Sequence, residues 1–183
     1  MTHEIGVRVD GKVVRAAVEP RLLLSDFLRE TAGAKGVHVG CEHGVCGACT
    51  VIVDGRAVRS CLMFAVQADG SSVETVSSLA GGPTLSPLQE AFRANFALQC
   101  GFCTPGILMS VRAFLRRNPA PARREVEELL AGHLCRCTGY APIVDAVLAA
   151  AEQQRLVMVS GAPEGDVMVS GAPEGRGVEP PRS

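Results

Sequence analysis

The chain has 183 residues, with 18 basic side chains against 19 acidic ones and a net charge of −1. That length suits one large domain or two small ones with real cores, so folding does not require disulfides. Near-neutral charge, no Trp and a single Tyr offer neither a phosphate-tracking surface nor base-stacking platforms, which argues against nucleic acid as a partner.

In chain order, MTHEIGVRVDGKVVRAAVEP opens with scattered charges rather than a basic start and an apolar block. No run approaches the roughly 20 apolar residues of a membrane span. The expected compartment is the cytoplasm, where thiols stay reduced and dense cysteines mark metal binding or catalysis.

Short β-rich segments follow at 5–9, 13–18, 51–53, 57–60 and 72–76. Asp10-Gly11 and Asp54-Gly55 separate pairs of them, and Asp-Gly favours a two-residue hairpin turn because both positions tolerate positive φ. LLLSDFLRE, 22–30, reads as one helix. This half, 1–76, is expected to form a small α+β domain.

From 77 the punctuation changes, with Gly81-Gly82-Pro83 near the junction. Ser86-Pro87-Leu88-Gln89 supplies a cap, a proline and a reciprocal Gln for a helix running through Phe96. Thr104-Pro105 repeats the cap-then-proline start, and Arg116-Arg117-Asn118-Pro119 ends that helix. Further helices are expected at 123–131 and from near Pro142, making 77–155 a helical domain. VMVSGAPEG then occurs twice, at 157–165 and 167–175, and its Gly, Pro and Glu content predicts a flexible tail over 156–183, with docking of the VMV segments along a partner subunit as the alternative.

All eight cysteines fall into two groups of four. Cys41, Cys46, Cys49 and Cys61 follow C-x4-C-x2-C…C, the spacing of plant-type 2Fe-2S ferredoxins. Such a cluster is anionic and accepts hydrogen bonds from backbone N–H groups, so its loop must curl tightly, and Gly40, Gly44 and Gly47 permit that. The second group is Cys100 and Cys103 in CGFC with Cys135 and Cys137 in CRC. Each pair precedes a helix, so two helix N-termini would direct partial positive charge and free N–H groups at one anionic centre.

Structural zinc also takes four cysteines, but usually from two C-x2–4-C knuckles, which neither group reproduces. A disulfide framework would need an oxidising compartment. His43 and His133 lie within or beside the cysteine motifs, yet each group already has four thiols, so exposed or hydrogen-bonding roles are expected for them. Arg136 reads equally as a surface residue or as a charge near the second site.

GCEHGVCGACT with Cys61, then QCGFCTPG, then LCRCTGY, in that order, resemble the iron–sulfur subunit of the molybdenum hydroxylases, the xanthine oxidase family. The similarity covers about 3–154. It implies a β-grasp 2Fe-2S ferredoxin-like domain followed by an all-α four-helix domain, each holding one 2Fe-2S cluster. It also implies a molybdopterin-binding large subunit and an FAD-binding medium subunit as partners, commonly in a dimer of heterotrimers. By the same carry-over the Cys100/103/135/137 cluster faces the molybdenum cofactor and the Cys41/46/49/61 cluster the flavin, with Gln99 and Cys137 as candidate pterin contacts. Relatives often carry Asn two residues before Cys135, where this chain has His133.

No nucleophile elbow, phosphate loop or second carboxylate pair is evident, so no substrate-converting site is expected in this chain. The expected function is electron relay from molybdenum through two clusters to FAD. A free-standing two-cluster carrier is the alternative, although such a carrier should show a strongly charged docking face. A zinc scaffold without redox function is a third possibility.

Overall fold

The computed structural model describes residues 1–80 and 82–160, with side chains to Leu156. Its first half is a five-stranded sheet of β1 (His3–Val9), β2 (Lys12–Val18), β3 (Thr50–Val53), β4 (Arg56–Arg59) and β5 (Ser72–Glu74). The order is β2-β1-β5-β3-β4, with β1 and β5 parallel and the other neighbours antiparallel. Both hairpins turn on the expected dipeptides. Asp10 and Gly11 have φ of 47° and 84°, Asp54 and Gly55 have 46° and 81°, and two successive positive φ values match the strand twist.

The segment between the hairpins departs from the expected single helix. One α-helical turn, α1 (Leu24–Asp26), continues as a π-type turn over Phe27–Thr31. The Ala32 amide donates to Phe27 O at 2.9 Å, five residues back. This wider winding accompanies complete burial of Leu24, Phe27 and Leu28. They pack with Ile5, Val7, Val51 and Val73 against one face of the sheet, where each fully buried aliphatic side chain contributes roughly 1.5–3 kcal/mol.

Four helices form the second half: α2 (Pro87–Ala94), α3 (Thr104–Leu115), α4 (Arg123–Leu130) and α5 (Ala141–Ser160). Ser86 and Gln89 make the reciprocal cap, with Ser86 N donating to Gln89 Oε1 at 2.9 Å and Gln89 N to Ser86 Oγ at 3.3 Å. α2 stops two residues short of Phe96, because the Asn95 side chain caps Ala91 O at 2.8 Å and Phe96 turns to φ 53°. The cap of α3 is Cys103 rather than Thr104, which is already helical and whose buried Oγ1 finds no partner. Phe92, Ile107, Val111, Val126, Ile143 and Val147 fill the helical core.

Ile52 of β3 and Leu79 belong to this second core, so the sheet and the bundle share a packed boundary. Glu74 on β5 ties it from the side, accepting from the two terminal guanidinium nitrogens of Arg116, each at 2.8 Å. α5 continues to Ser160, past the expected end at 155, because no breaker occurs before Gly161. The rest of the expected tail, 161–183, lies outside the described residues. Among the described residues no helix is long and apolar enough to cross a membrane.

Candidate metal centres

The loop between the π-type turn and β3 carries Cys41, Cys46 and Cys49, and the turn after β4 carries Cys61. Glu42, Gly44 and Gly47 all have positive φ, 57°, 84° and 77°, which is how a short loop bends back on itself with its amides pointing inward. The Cys46 amide donates to Cys41 Sγ at 3.3 Å. That bond and the His43 amide hold the Cys41 thiol down at about 6. Cys49 and Cys61 are buried side by side, and burial followed by the Cys49 sulfur pushes Cys61 up to about 11.

Gly40, before the first cysteine, sits with its Cβ direction 3.2 Å from the Phe102 ring and 3.3 Å from Cys46 Sγ. At Gly44 a side chain would run into Leu62. Gly47 faces His133 and the Gly132 carbonyl in the same way, so each expected loop glycine stands at a close approach.

Cys103 caps α3, and Cys100 lies in the turn before it. Cys135 and Cys137 lie in the turn between α4 and α5. Cys100 Sγ and Cys137 Sγ are 3.5 Å apart at the surface. Cys103 is buried against Cys135, and burial, then the Cys135 sulfur, pushes it up to about 12. Cys135 goes the other way: burial alone would raise it, but bonds from the Thr138 hydroxyl and amide and from the Cys137 amide outweigh that. The Gln99 side chain donates to Cys137 O at 3.1 Å, so the residue expected near a pterin is tied to the same exposed edge.

All eight cysteines are free thiols. They meet in twos, Cys41 with Cys46, Cys49 with Cys61, Cys100 with Cys137, Cys103 with Cys135. Among the described residues no three His, Cys, Asp or Glu groups converge on a single point. A mononuclear tetrahedral site gathers four ligands about one centre, whereas a two-iron cluster with four thiolates has two centres and takes two thiolates at each. The paired arrangement fits the two-iron group.

The two sites are built back to back. The Leu134 amide donates to Cys46 O at 3.0 Å, linking the residue before one site's cysteine to a cysteine of the other. Phe102, between Cys100 and Cys103, stacks on His38 with ring centroids 5.0 Å apart, and its carbonyl is 2.8 Å from His38 Nδ1. His133 is buried against Gly47, with Nε2 2.7 Å from Ser110 Oγ and Nδ1 without a partner. Burial and the Arg59 charge hold it down at about 4, a neutral ring with a structural role rather than a ligand. His38, Phe102 and Ser110 carry no local sequence signal, because their partners are 23 to 64 residues away.

Two families match the chain: 2Fe-2S iron-sulfur cluster binding domain over residues 7–79 and [2Fe-2S] binding domain over residues 75–148. The nicotine 6-hydroxylase small subunit of Paenarthrobacter nicotinovorans is 56% identical over 150 residues, covering 82% of this chain and 90% of that protein. The caffeine dehydrogenase subunit gamma of Pseudomonas sp. (strain CBB1) is 49% identical over 149 residues, 80% and 89% of the two chains. The crystal structure of quinoline 2-oxidoreductase from Pseudomonas putida 86 contains a chain that superposes with a TM-score of 0.81 at 51% identity, covering 85% of this chain and 97% of that one. With paired thiols in two loops, a mixed sheet followed by four helices, and relatives of matching length, the chain belongs to the iron–sulfur subunits of the molybdenum hydroxylases, the xanthine oxidase family.

Proposed function

We propose that this chain is the electron-relay subunit of a molybdenum-containing hydroxylase or dehydrogenase, carrying electrons from the molybdenum cofactor of one partner to FAD in another. Cys41, Cys46, Cys49 and Cys61 would hold one 2Fe-2S cluster, and Cys100, Cys103, Cys135 and Cys137 the other. When bound, such clusters exchange one electron at a time, at potentials set by charge, hydrogen bonding and exposure. The chain's own contribution is to hold the thiolates, direct amides at them and keep the two sites in register.

The observation that carries this reading is the 3.0 Å hydrogen bond from Leu134 N–H to Cys46 O, with Gly47 packed against His133. Two thiol quartets held by a common backbone contact suit a relay better than two independent structural sites. Cys100 and Cys137 are exposed, as is Phe102 between Cys100 and Cys103, while Cys49 and Cys61 are buried. The exposed edge, with Gln99, is proposed to face the molybdopterin-binding subunit, and the side carrying Val45 and Leu62 the FAD-binding subunit. A dimer of such heterotrimers in the cytoplasm, and a division of this chain at 76/77 into two cluster domains, complete the proposal. The two cores, one under the sheet and one within the helices, support that division.

The test is anaerobic purification of the chain from its native host, followed by chromatography and cofactor analysis. A complex containing molybdenum, FAD and this chain supports the subunit reading. A monomer that by itself shuttles electrons between soluble partners would replace it with the free-standing carrier.

A further inference from the structure

Cys135 begins a short loop that ends at Tyr140, whose φ of 68° lies in the left-handed region, unusual for a bulky aromatic residue. Three hydrogen bonds close this loop on itself. The Tyr140 hydroxyl accepts from the Cys135 amide at 2.9 Å and donates to His133 O at 3.0 Å. The Tyr140 amide donates to Thr138 Oγ1 at 3.2 Å. Thr138 Oγ1 in turn lies 3.1 Å from Cys135 Sγ.

The direction of the last contact follows from counting protons. A threonine hydroxyl has one proton and two lone pairs, and the Tyr140 amide takes up one lone pair. A thiolate bound to a metal has no proton to give, so between Thr138 and Cys135 only the hydroxyl can donate. The amides of Thr138 and Cys137 also reach this sulfur, and the Thr138 hydroxyl adds a side-chain donor to them. Among the described residues, no hydroxyl stands in hydrogen-bond contact with a cysteine sulfur of the other quartet, where the donor to Cys41 is a backbone amide.

We propose that Thr138 is a potential-setting residue for the second cluster, its hydroxyl proton aimed at the Cys135 sulfur by the left-handed Tyr140 turn. This rests on the reading that Cys135 is a ligand of that cluster. A hydrogen bond donated to a ligand sulfur favours the more negative, reduced state, so it raises the potential of the cluster that receives it. Tyr140 acts through Thr138 and is a positioning residue.

The test is a redox titration of the assembled complex followed by electron paramagnetic resonance, in which the two clusters are read separately. Thr138→Val, which keeps the shape and removes the donor, is expected to shift one cluster's midpoint to lower potential, leave the other in place and retain full iron. Thr138→Ser is expected to stay near the wild-type value. Proton resonance at the reduced cluster should show an exchangeable hydroxyl proton that Thr138→Val loses and Thr138→Ser keeps. Unmoved midpoints in the fully loaded Thr138→Val protein, or equal shifts in Thr138→Val and Thr138→Ser, would overturn the proposal. If Thr138→Val does not assemble, Thr138→Ala removes the same donor and is read by the same criteria. The ligand reading fails separately: Cys135→Ser would then keep the iron of both clusters.

Discussion

A Cβ added to Gly106, in the first turn of α3, would lie 2.8 Å from the carbonyl oxygen of Ala48 and closer still to that of Gly47. The helix that starts at one cysteine site thus rests directly on the backbone of the other site's loop, and only a residue without a side chain permits that approach. Gly106→Ala should force the two loops apart. We expect a loss of about 1–3 kcal/mol, read as a melting temperature lower by roughly 5 °C, together with altered spectra of both clusters. Unchanged melting and spectra would show that the contact is looser than its geometry.

Single-ligand substitutions should separate the sites. Cys49→Ser is expected to lose the first cluster's signal and stop flavin reduction, while molybdenum can still be reduced once by substrate. Cys103→Ser should lose the second signal and weaken the bundle as well, because Cys103 is buried in the helical core and the bundle is built around that site. Iron content and rapid-mixing spectra of the two variants check this, and full iron in either contradicts the assigned quartet.

The bond between Glu74 and Arg116 predicts a pH dependence. The Arg116 hydrogen bonds, with further help from its charge and that of Arg112, hold the Glu74 carboxyl below the ordinary value of about 4.5. Arg112 Nε lies 3.4 Å from Glu74 Oε2, near enough for charge but not aligned as a hydrogen bond. A lowered carboxylate stabilises the fold above its unfolded pKa, and that contribution disappears as pH falls through the lowered value. Partial exposure limits it to about 1 kcal/mol or less. Glu74→Gln should therefore melt below wild type at pH 7, and the difference should shrink as pH drops from about 4.5 downward. A difference constant with pH would assign the effect to packing alone.

The extent to which these features were legible in the sequence follows a physical division. Cysteine spacing and Asp-Gly turns are local, and the hairpins at Asp10-Gly11 and Asp54-Gly55 form where those dipeptides stand. The Ser86 cap is local too and was readable. Contacts that join distant segments were not. Gly106 looks like an ordinary helix glycine, and His133 like a loop residue, until α3 and the loop of Cys46 are placed together. The π-type turn after α1 was also invisible, since it depends on burying Phe27 and Leu28 with Leu24 rather than on any residue's own preference.

The most direct measurement is an anaerobic count of iron and acid-labile sulfide in the purified protein, with resonance spectra after stepwise reduction. Two distinct two-iron signals and about four irons per chain are predicted. Zinc in place of iron, or one cluster signal from a fully loaded chain, would contradict the relay.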